Sequence, residues 1–175
     1  MPSLQTELLI LRHAEAGHGP AGGADSERPL TPAGLADATR QGQWIHAQAL
    51  HPDAVLASTA RRAAQTTEQV LDALGDQAPT VTWDSSLYLA PVGRLLTILR
   101  LIEGCPSRVL LVGHNPGLHA LVEHLSGKPL AMGSWGRAFP PASLARLTLP
   151  RGWQDLDQGC GELTGLQAVR EGHES

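Results

Sequence analysis

Polar side chains follow three short apolar runs of the sequence, each at the point where a buried β-strand would end. The first run, residues 8–11, is followed at once by an arginine and a histidine, and two later runs, 54–57 and 108–112, are also followed by polar residues. A guanidinium can bind two oxygens of an anion together, and a neutral imidazole is a nucleophile near neutral pH. This combination suits the binding of an oxyanion such as phosphate, whose oxygens match the fork of an arginine. The residues concerned are Arg12, His13, Ser58, Arg62, His114 and Asn115.

Two histidines could also hold a metal ion, and the sequence argues against that use. A zinc site needs three or four close ligands, and neither an HExxH motif nor a pair of CxxC motifs is present. Arg12 beside His13 would repel a cation, whereas helices that begin near Thr59 and Pro116 would direct N–H groups toward an anion. We therefore expect a phosphate-type anion in this site, with no metal and no organic cofactor.

Strand-like and helix-like segments alternate along the whole chain, without an internal repeat or a low-complexity linker. This alternation is typical of an α/β protein. We therefore predict one domain over residues 1–175: a three-layer sandwich with a mostly parallel central sheet, helices on both faces and no cap domain. In such sheets ligands bind beyond the carboxyl ends of the strands, so the three polar segments should meet there. The predicted strands are 8–11, 54–57, 80–83, 108–112, 143–149 and 162–169. The first predicted helix covers 32–50 with Thr31 as its cap, and the second runs from a cap at Ser58 or Thr59 to residue 74. The third covers 92–102, and the fourth carries Leu118 to Leu125.

The composition excludes several classes of protein. The 175 residues are 42% hydrophobic and 17% charged, as in an ordinary globular domain, and the net charge of -4 argues against a nucleic-acid partner bound through its phosphates. No run approaches the roughly 18 apolar residues of a membrane span, and no secretion signal opens the chain, so we expect no membrane partner and a cytoplasmic location. The two cysteines, Cys105 and Cys160, form no CxxC pair and are expected to be free thiols in a reducing compartment.

Four motifs of the chain, taken in order, resemble those of the histidine phosphatase superfamily, which has the phosphoglycerate-mutase-like fold. They are RHAEA from residue 12, RPLTPAG from residue 28, STARRAAQT from residue 58 and LLVGHNPGL from residue 110. Two positions depart from the family pattern, since Ala14 stands where Gly is usual after Arg-His and Thr59 stands where Pro is usual. The alignment makes Arg62, rather than Arg61, the arginine of the pocket. The short length, the RPLT segment and GHNP are similar to the branch of small, SixA-like phosphohistidine phosphatases, which lack the inserted cap domains of larger members.

The resemblance implies a phosphatase mechanism in which His13 attacks phosphorus in line and forms a covalent phosphohistidine that water then hydrolyses. It implies that Arg12 and Arg62 neutralise the phosphoryl oxygens, and that a protonated His114 donates a further hydrogen bond to the transition state. The further residues that we expect to bind substrate are Arg28, Ser58 and Asn115.

The proton donor for the leaving group is the least determined part of the predicted site. Many members of the superfamily carry an acidic residue shortly after a leucine in the loop that follows the third strand, and the corresponding stretch Leu87-Tyr88-Leu89 has none. Asp84 and Glu15 are nearby candidates, and either could take the role. A missing acid would suit a phosphorylated imidazole as the substrate, since protonation of the ring activates its P–N bond.

An open pocket without a cap domain could admit a phosphohistidine displayed by a phosphotransfer protein, and this is the substrate and partner that we predict. Two alternatives stay open at this point: a small-molecule phosphomonoesterase with the same catalytic core, and a phosphate-binding interaction module without catalysis. The Gly- and Pro-rich segment 128–141 is also a candidate for a mobile flap near the pocket.

Overall fold

A computed structural model of the chain describes residues 5–131 and 139–169. Strands alternate with α-helices along these residues, and none of the helices is long and apolar enough to span a membrane. The strands are β1 (Thr6–Arg12), β2 (Ala54–Ala57), β3 (Val81–Trp83), β4 (Arg108–Gly113), β5 (Leu144–Leu149) and β6 (Glu162–Gln167). The helices are α1 (Pro32–Ala47), α2 (Arg61–Leu74), α3 (Val92–Arg100) and α4 (Gly117–Ser126), and single turns of 3-10 helix lie at Asp25–Glu27, Gly75–Gln77 and Ser85–Leu87.

The strands form one sheet in the order β3-β2-β4-β1-β5-β6. The first four strands in this order are parallel to one another, whereas β5 is antiparallel to β1 and β6 is antiparallel to β5. Arg12 at the end of β1 pairs with Gly113 at the end of β4, and Ala57 at the end of β2 pairs with Val112. The residues that follow these three strands therefore leave the sheet at one edge.

Helices cover both faces of this sheet, and β1 supplies side chains to both sides of the core. Leu8 and Ile10 belong to one apolar cluster, whereas Leu9 and Leu11 belong to the other, because successive strand residues point to opposite faces. All four side chains are fully buried. The first cluster is completed by α3 and α4, and the second by α1 and α2. The predicted three-layer sandwich with a mostly parallel sheet is confirmed, and within the described residues no element forms a separate cap domain.

The first helix begins as predicted and ends earlier than predicted. Thr31 is its N-cap, and the Thr31 hydroxyl accepts a hydrogen bond from the backbone N–H of Gly34 at 3.0 Å. The helix ends at Ala47 rather than at residue 50, because Ala49 adopts a φ of 54°, which a right-handed helix cannot contain. Leu50 is nevertheless buried, which explains its place in the apolar pattern.

The second helix begins later than predicted. It starts at Arg61, its N-cap is Ala60, and no side chain caps it, so the predicted cap at Ser58 or Thr59 is wrong. The Ser58 hydroxyl lies instead 2.8 Å from His114 Nε2, and it also accepts a hydrogen bond from the backbone N–H of Ala60 at 3.3 Å. The Ser58 hydroxyl therefore lies at the edge of the sheet where the polar segments meet, and it does not cap the helix.

Candidate active site

The two histidines and two arginines predicted from the sequence lie around one cavity of about 430 Å³ at the carboxyl edge of the parallel strands. Arg12 is the last residue of β1 and His13 follows it, His114 follows the neighbouring strand β4, and Arg62 lies in the first turn of α2. The two imidazole rings have their centroids 5.3 Å apart. The cavity thus combines two rings and two guanidinium groups from distant parts of the chain.

His13 is held with one ring nitrogen available to a substrate. Its Nδ1 lies 2.7 Å from the carbonyl oxygen of Ala14, so Nδ1 carries the proton and donates it to that oxygen. Its Nε2 accepts a hydrogen bond from Nε of Arg62 at 3.3 Å, which requires a lone pair on Nε2. Burial is the main reason that the pKa of His13 falls to about 3, and the neighbouring His114 and Arg62 lower it further. The ring is therefore neutral at pH 7, with its Nε2 lone pair directed at the guanidinium of Arg62.

Arg62 is almost completely buried and is bound on two sides. Its Nη1 donates to the backbone carbonyl of Asp25 at 2.8 Å, and its Nη2 donates to Asp25 Oδ2 at 3.0 Å. Its guanidinium carbon also lies 5.7 Å from the centroid of the Tyr88 ring, within the range of a cation–π contact. Arg12 is held from another direction, since its Nη1 donates to the carbonyl oxygen of Phe139 at 3.1 Å. Both positive charges are therefore fixed in place at the cavity.

His114 is buried against Ser58, and its other ring nitrogen has no hydrogen-bond partner in the part of the chain that the structure describes. Its Nε2 lies 2.8 Å from the Ser58 hydroxyl, whereas its Nδ1 is buried without a hydrogen bond to any described residue. Burial first, and then the charge of Arg62, lowers the pKa of His114 to about 4. The ring is thus neutral at pH 7 beside these arginines, although the charge of Asp25 acts in the opposite direction, and a bound anion would raise the pKa of His114 further toward the predicted protonated form.

The residues predicted to bind substrate differ in their positions. Arg28 and Asn115 line the cavity. The Nε of Arg28 donates to the carbonyl oxygen of Gly17 at 2.9 Å, and Nδ2 of Asn115 donates to the carbonyl oxygen of Phe139 at 2.9 Å. Ser58 is fully buried and is not among the residues that line the cavity. Its hydroxyl orients His114 instead.

The two candidate proton donors also differ in position. Asp84 caps the turn Ser85–Leu87 through a hydrogen bond from the backbone N–H of Ser86 at 2.8 Å, and it lines another cavity, next to Ile98. Asp84 therefore lies outside the cavity of the site, and the structure does not bring it together with the two histidines. Glu15 does line the site, and its Oε1 accepts a hydrogen bond from the Thr31 hydroxyl at 2.8 Å.

Sequence reasoning missed Asp25, the carboxylate that stands between the arginines of the site. Its Oδ1 accepts a hydrogen bond from Nη1 of Arg28 at 3.1 Å, and its Oδ2 accepts one from Arg62 and one from the Tyr88 hydroxyl. Tyr88 and Arg28 are the main causes that hold the pKa of Asp25 well below its usual range, so the carboxylate is ionised. The loop around Asp25 has no apolar periodicity, and no signal in the sequence marked it.

Tyr88 and Leu89 also contribute to the site, and here the sequence did carry a signal. They follow Leu87, at the place where the family pattern puts an acidic residue. The Tyr88 ring packs edge-on against the ring of His114 at a centroid distance of 5.3 Å, and Leu89 lines the cavity with a φ of 48°. Half of the predicted flap over 128–141, residues 132–138, lies outside the described residues, and Pro141 lines the cavity.

The fold and this site together define a class of protein. The family model of the histidine phosphatase superfamily (branch 1) matches residues 8–86. The chain is also 30% identical over 145 residues to the phosphohistidine phosphatase SixA of Escherichia coli (strain K12), an alignment that covers 82% of this chain and 85% of that protein. The chain therefore belongs to the histidine phosphatase superfamily, and it is a phosphatase enzyme.

Solved structures agree with this assignment. A structure assigned to phosphohistidine phosphatase SixA from Nakamurella multipartitia superimposes with a TM-score of 0.79 at 30% identity, covering 94% of this chain and 96% of that chain. A structure of the protein histidine phosphatase SixA complexed with tungstate gives a TM-score of 0.77 at 26% identity, covering 94% of this chain and 97% of that chain. The predicted resemblance to the SixA-like branch is confirmed.

Proposed function

We propose that this phosphatase hydrolyses phosphohistidine on a protein, through a covalent intermediate on His13. The observation that carries the proposal is the state of the His13 ring, which is buried and neutral, with Nδ1 bonded to Ala14 and the Nε2 lone pair beside the Arg62 guanidinium. An imidazole in this state is ready to attack phosphorus, and a cation beside it attracts the phosphoryl oxygens.

In the first step Nε2 of His13 forms a bond to phosphorus while the bond from phosphorus to the leaving group breaks. Arg12 and Arg62 neutralise the phosphoryl oxygens, and the ring of His114, which lines the same cavity, supplies the further hydrogen bond that the family resemblance implies. In the second step water attacks phosphorus, the bond to Nε2 breaks, and inorganic phosphate leaves neutral His13. Most of the rate enhancement then comes from positioning and charge stabilisation.

The carboxyl groups of the cavity favour a substrate whose leaving group departs without strong protonation by the enzyme. Among the described residues that line it, Asp25 and Glu15 carry the carboxyl groups. Asp25 is kept ionised by its hydrogen bonds, so it has no proton to donate at pH 7. An alkyl ester requires strong protonation of its leaving oxygen, whereas a phosphorylated imidazole leaves as a neutral ring once that ring carries a proton. The chemistry therefore favours a P–N bond over an alkyl P–O bond.

Two relatives support this substrate class. The relative from Escherichia coli is named a phosphohistidine phosphatase, and the SixA structure holds tungstate, a tetrahedral oxyanion that resembles phosphate. We infer that the cavity of this chain binds the phosphoryl group of a phosphohistidine, displayed by a phosphotransfer protein.

The test is to measure turnover of a phosphohistidine-bearing phosphotransfer protein beside a panel of small phosphate esters, with variants of the site. His13→Ala should abolish turnover, and Arg62→Ala should lower kcat by about 100- to 1000-fold, as expected for the loss of one charge-stabilising donor. Arg61→Ala is the matched control, because this neighbouring arginine is exposed and lies outside the cavity, and it should retain wild-type turnover.

Labelling with radioactive phosphate from the substrate, followed by denaturation in alkali, should trap an acid-labile phosphoryl group on His13. Label on His114 instead would contradict the assignment of the nucleophile. Efficient turnover of the esters with no action on the phosphohistidine protein would make the chain an ester phosphatase. Binding of inorganic phosphate without any turnover would make it a non-catalytic phosphate-binding module.

A further inference from the structure

The guanidinium of Arg62 is held by two different groups along two different edges. The end edge, formed by Nη1 and Nη2, donates to the backbone carbonyl and to Oδ2 of Asp25 at 2.8 and 3.0 Å. The side edge, formed by Nε and the second hydrogen of Nη2, faces His13, because Nε donates to His13 Nε2 at 3.3 Å. The carboxylate and carbonyl of Asp25 therefore bind the Nη1–Nη2 edge of the guanidinium, and the Nε edge faces the attacking nitrogen of His13.

Asp25 is itself anchored, although its side chain is about half exposed (46%). Arg28 donates to Oδ1 and the Tyr88 hydroxyl donates to Oδ2. Arg28 is fixed in turn through Nε, which donates to the carbonyl oxygen of Gly17. Donors from two separate loops thus hold the carboxylate that holds Arg62.

We propose that Asp25 is a positioning residue for phosphoryl transfer, which acts by orienting Arg62 so that its Nε edge meets the phosphoryl oxygens beside His13. A guanidinium binds two oxygens of a phosphoryl group well only when its N–H groups lie in the plane of those oxygens. An arginine attached by a flexible chain loses this alignment easily, and a misplacement of about 1 Å can cost about 100-fold in rate. This inference rests on the proposed function of Arg62 at the reacting phosphorus.

The same contacts suggest an opposite role, in which Asp25 competes with the phosphoryl group for Arg62. Competition would require the carboxylate to occupy the N–H groups that face His13. The structure places the carboxylate on the other edge, so a phosphoryl group can bind along the Nε edge while Asp25 stays in position. The two roles predict changes of opposite sign when the carboxylate is removed.

The test compares Asp25→Ala with wild type on phosphohistidine protein, with kcat and KM measured separately. We expect kcat to fall by about 10- to 100-fold with a smaller change in KM, and inhibition by tungstate to weaken. Glu27→Gln is the matched control, because Glu27 lies in the same turn but outside the cavity, and it should behave as wild type. If Asp25→Ala does not fold, Asp25→Asn, which keeps one acceptor oxygen, should show the same change to a smaller degree.

The double variant Asp25→Ala/Arg62→Ala identifies the route of the effect. If Asp25 acts through Arg62, the double variant should be no slower than Arg62→Ala alone. Three results would each overturn the proposal. The losses of the two single variants could multiply in the double variant, Asp25→Ala could keep the wild-type kcat, or Asp25→Ala could have a lower KM and be inhibited more tightly by tungstate. Failure of the proposed function looks different, since Arg62→Ala and His13→Ala would then keep their turnover.

Discussion

Lowering the pH from about 8 to about 5 should destabilise the folded chain through the two buried imidazoles of the site. His13 and His114 are 9% and 3% exposed, and burial lowers their pKa to about 3 and about 4. In the unfolded chain both rings titrate near pH 6.5. Between these values the unfolded chain binds protons that the folded chain does not, so the free energy of unfolding falls as the pH falls. For each ring, the free energy of unfolding should fall by about 1.4 kcal/mol per pH unit below pH 6.5, which amounts to roughly 2 kcal/mol at pH 5.

The assay is urea denaturation at both pH values, and the quantity compared is the change in the free energy of unfolding between them. Other groups titrate in the same range, so the test is the difference between wild type and a variant. His13→Asn and His114→Gln should each reduce the pH-dependent loss by about 2 kcal/mol. His18→Asn is the control, because that ring is exposed, and its effect should be much smaller. If the variants of His13 and His114 keep the whole wild-type difference, burial does not hold these rings neutral.

Two further changes test the packing around the site. Gly117→Ala should lower the free energy of unfolding by about 1–3 kcal/mol, because the added methyl carbon would lie 2.0 Å from the carbonyl oxygen of Ala90; an unchanged urea midpoint would contradict this close approach. Ser58→Ala should lower kcat about tenfold, because His114 would lose the hydrogen-bond partner of its Nε2. Steady-state kinetics would measure this loss, with Thr59→Ala, a change at an exposed neighbour, as the control. Equal kcat values for these two variants would show that Ser58 does not orient the ring.

The four central side chains of the site could be placed from the sequence. Arg12, His13 and His114 directly follow apolar runs with the length and composition of strands buried on both faces. The ends of parallel strands lie at one edge, and Arg62 lies in the first turn of the helix that follows another such strand. These positions are strongly constrained, because a slip of one residue in a buried strand would turn its side chains to the opposite face.

The groups that come from the loops could not be placed in this way. Asp25 lies in a turn without apolar periodicity, and only the folded chain brings it between Arg62 and Tyr88. Asp84 follows β3 as predicted, yet its carboxylate caps the next turn and lies outside the site. Ser58 follows β2 at the edge of the sheet, yet it is fully buried and contacts His114.

The sequence by itself therefore determined the strands, their alternation with helices along the chain and the motifs that follow them, because burial of apolar side chains leaves few alternatives for such runs. Only the tertiary structure decided which polar groups reach the cavity and which imidazoles are neutral. The reason is physical: the protonation state and orientation of a polar side chain depend on its burial and on the N–H, hydroxyl and charged groups around it, and distant segments supply most of these.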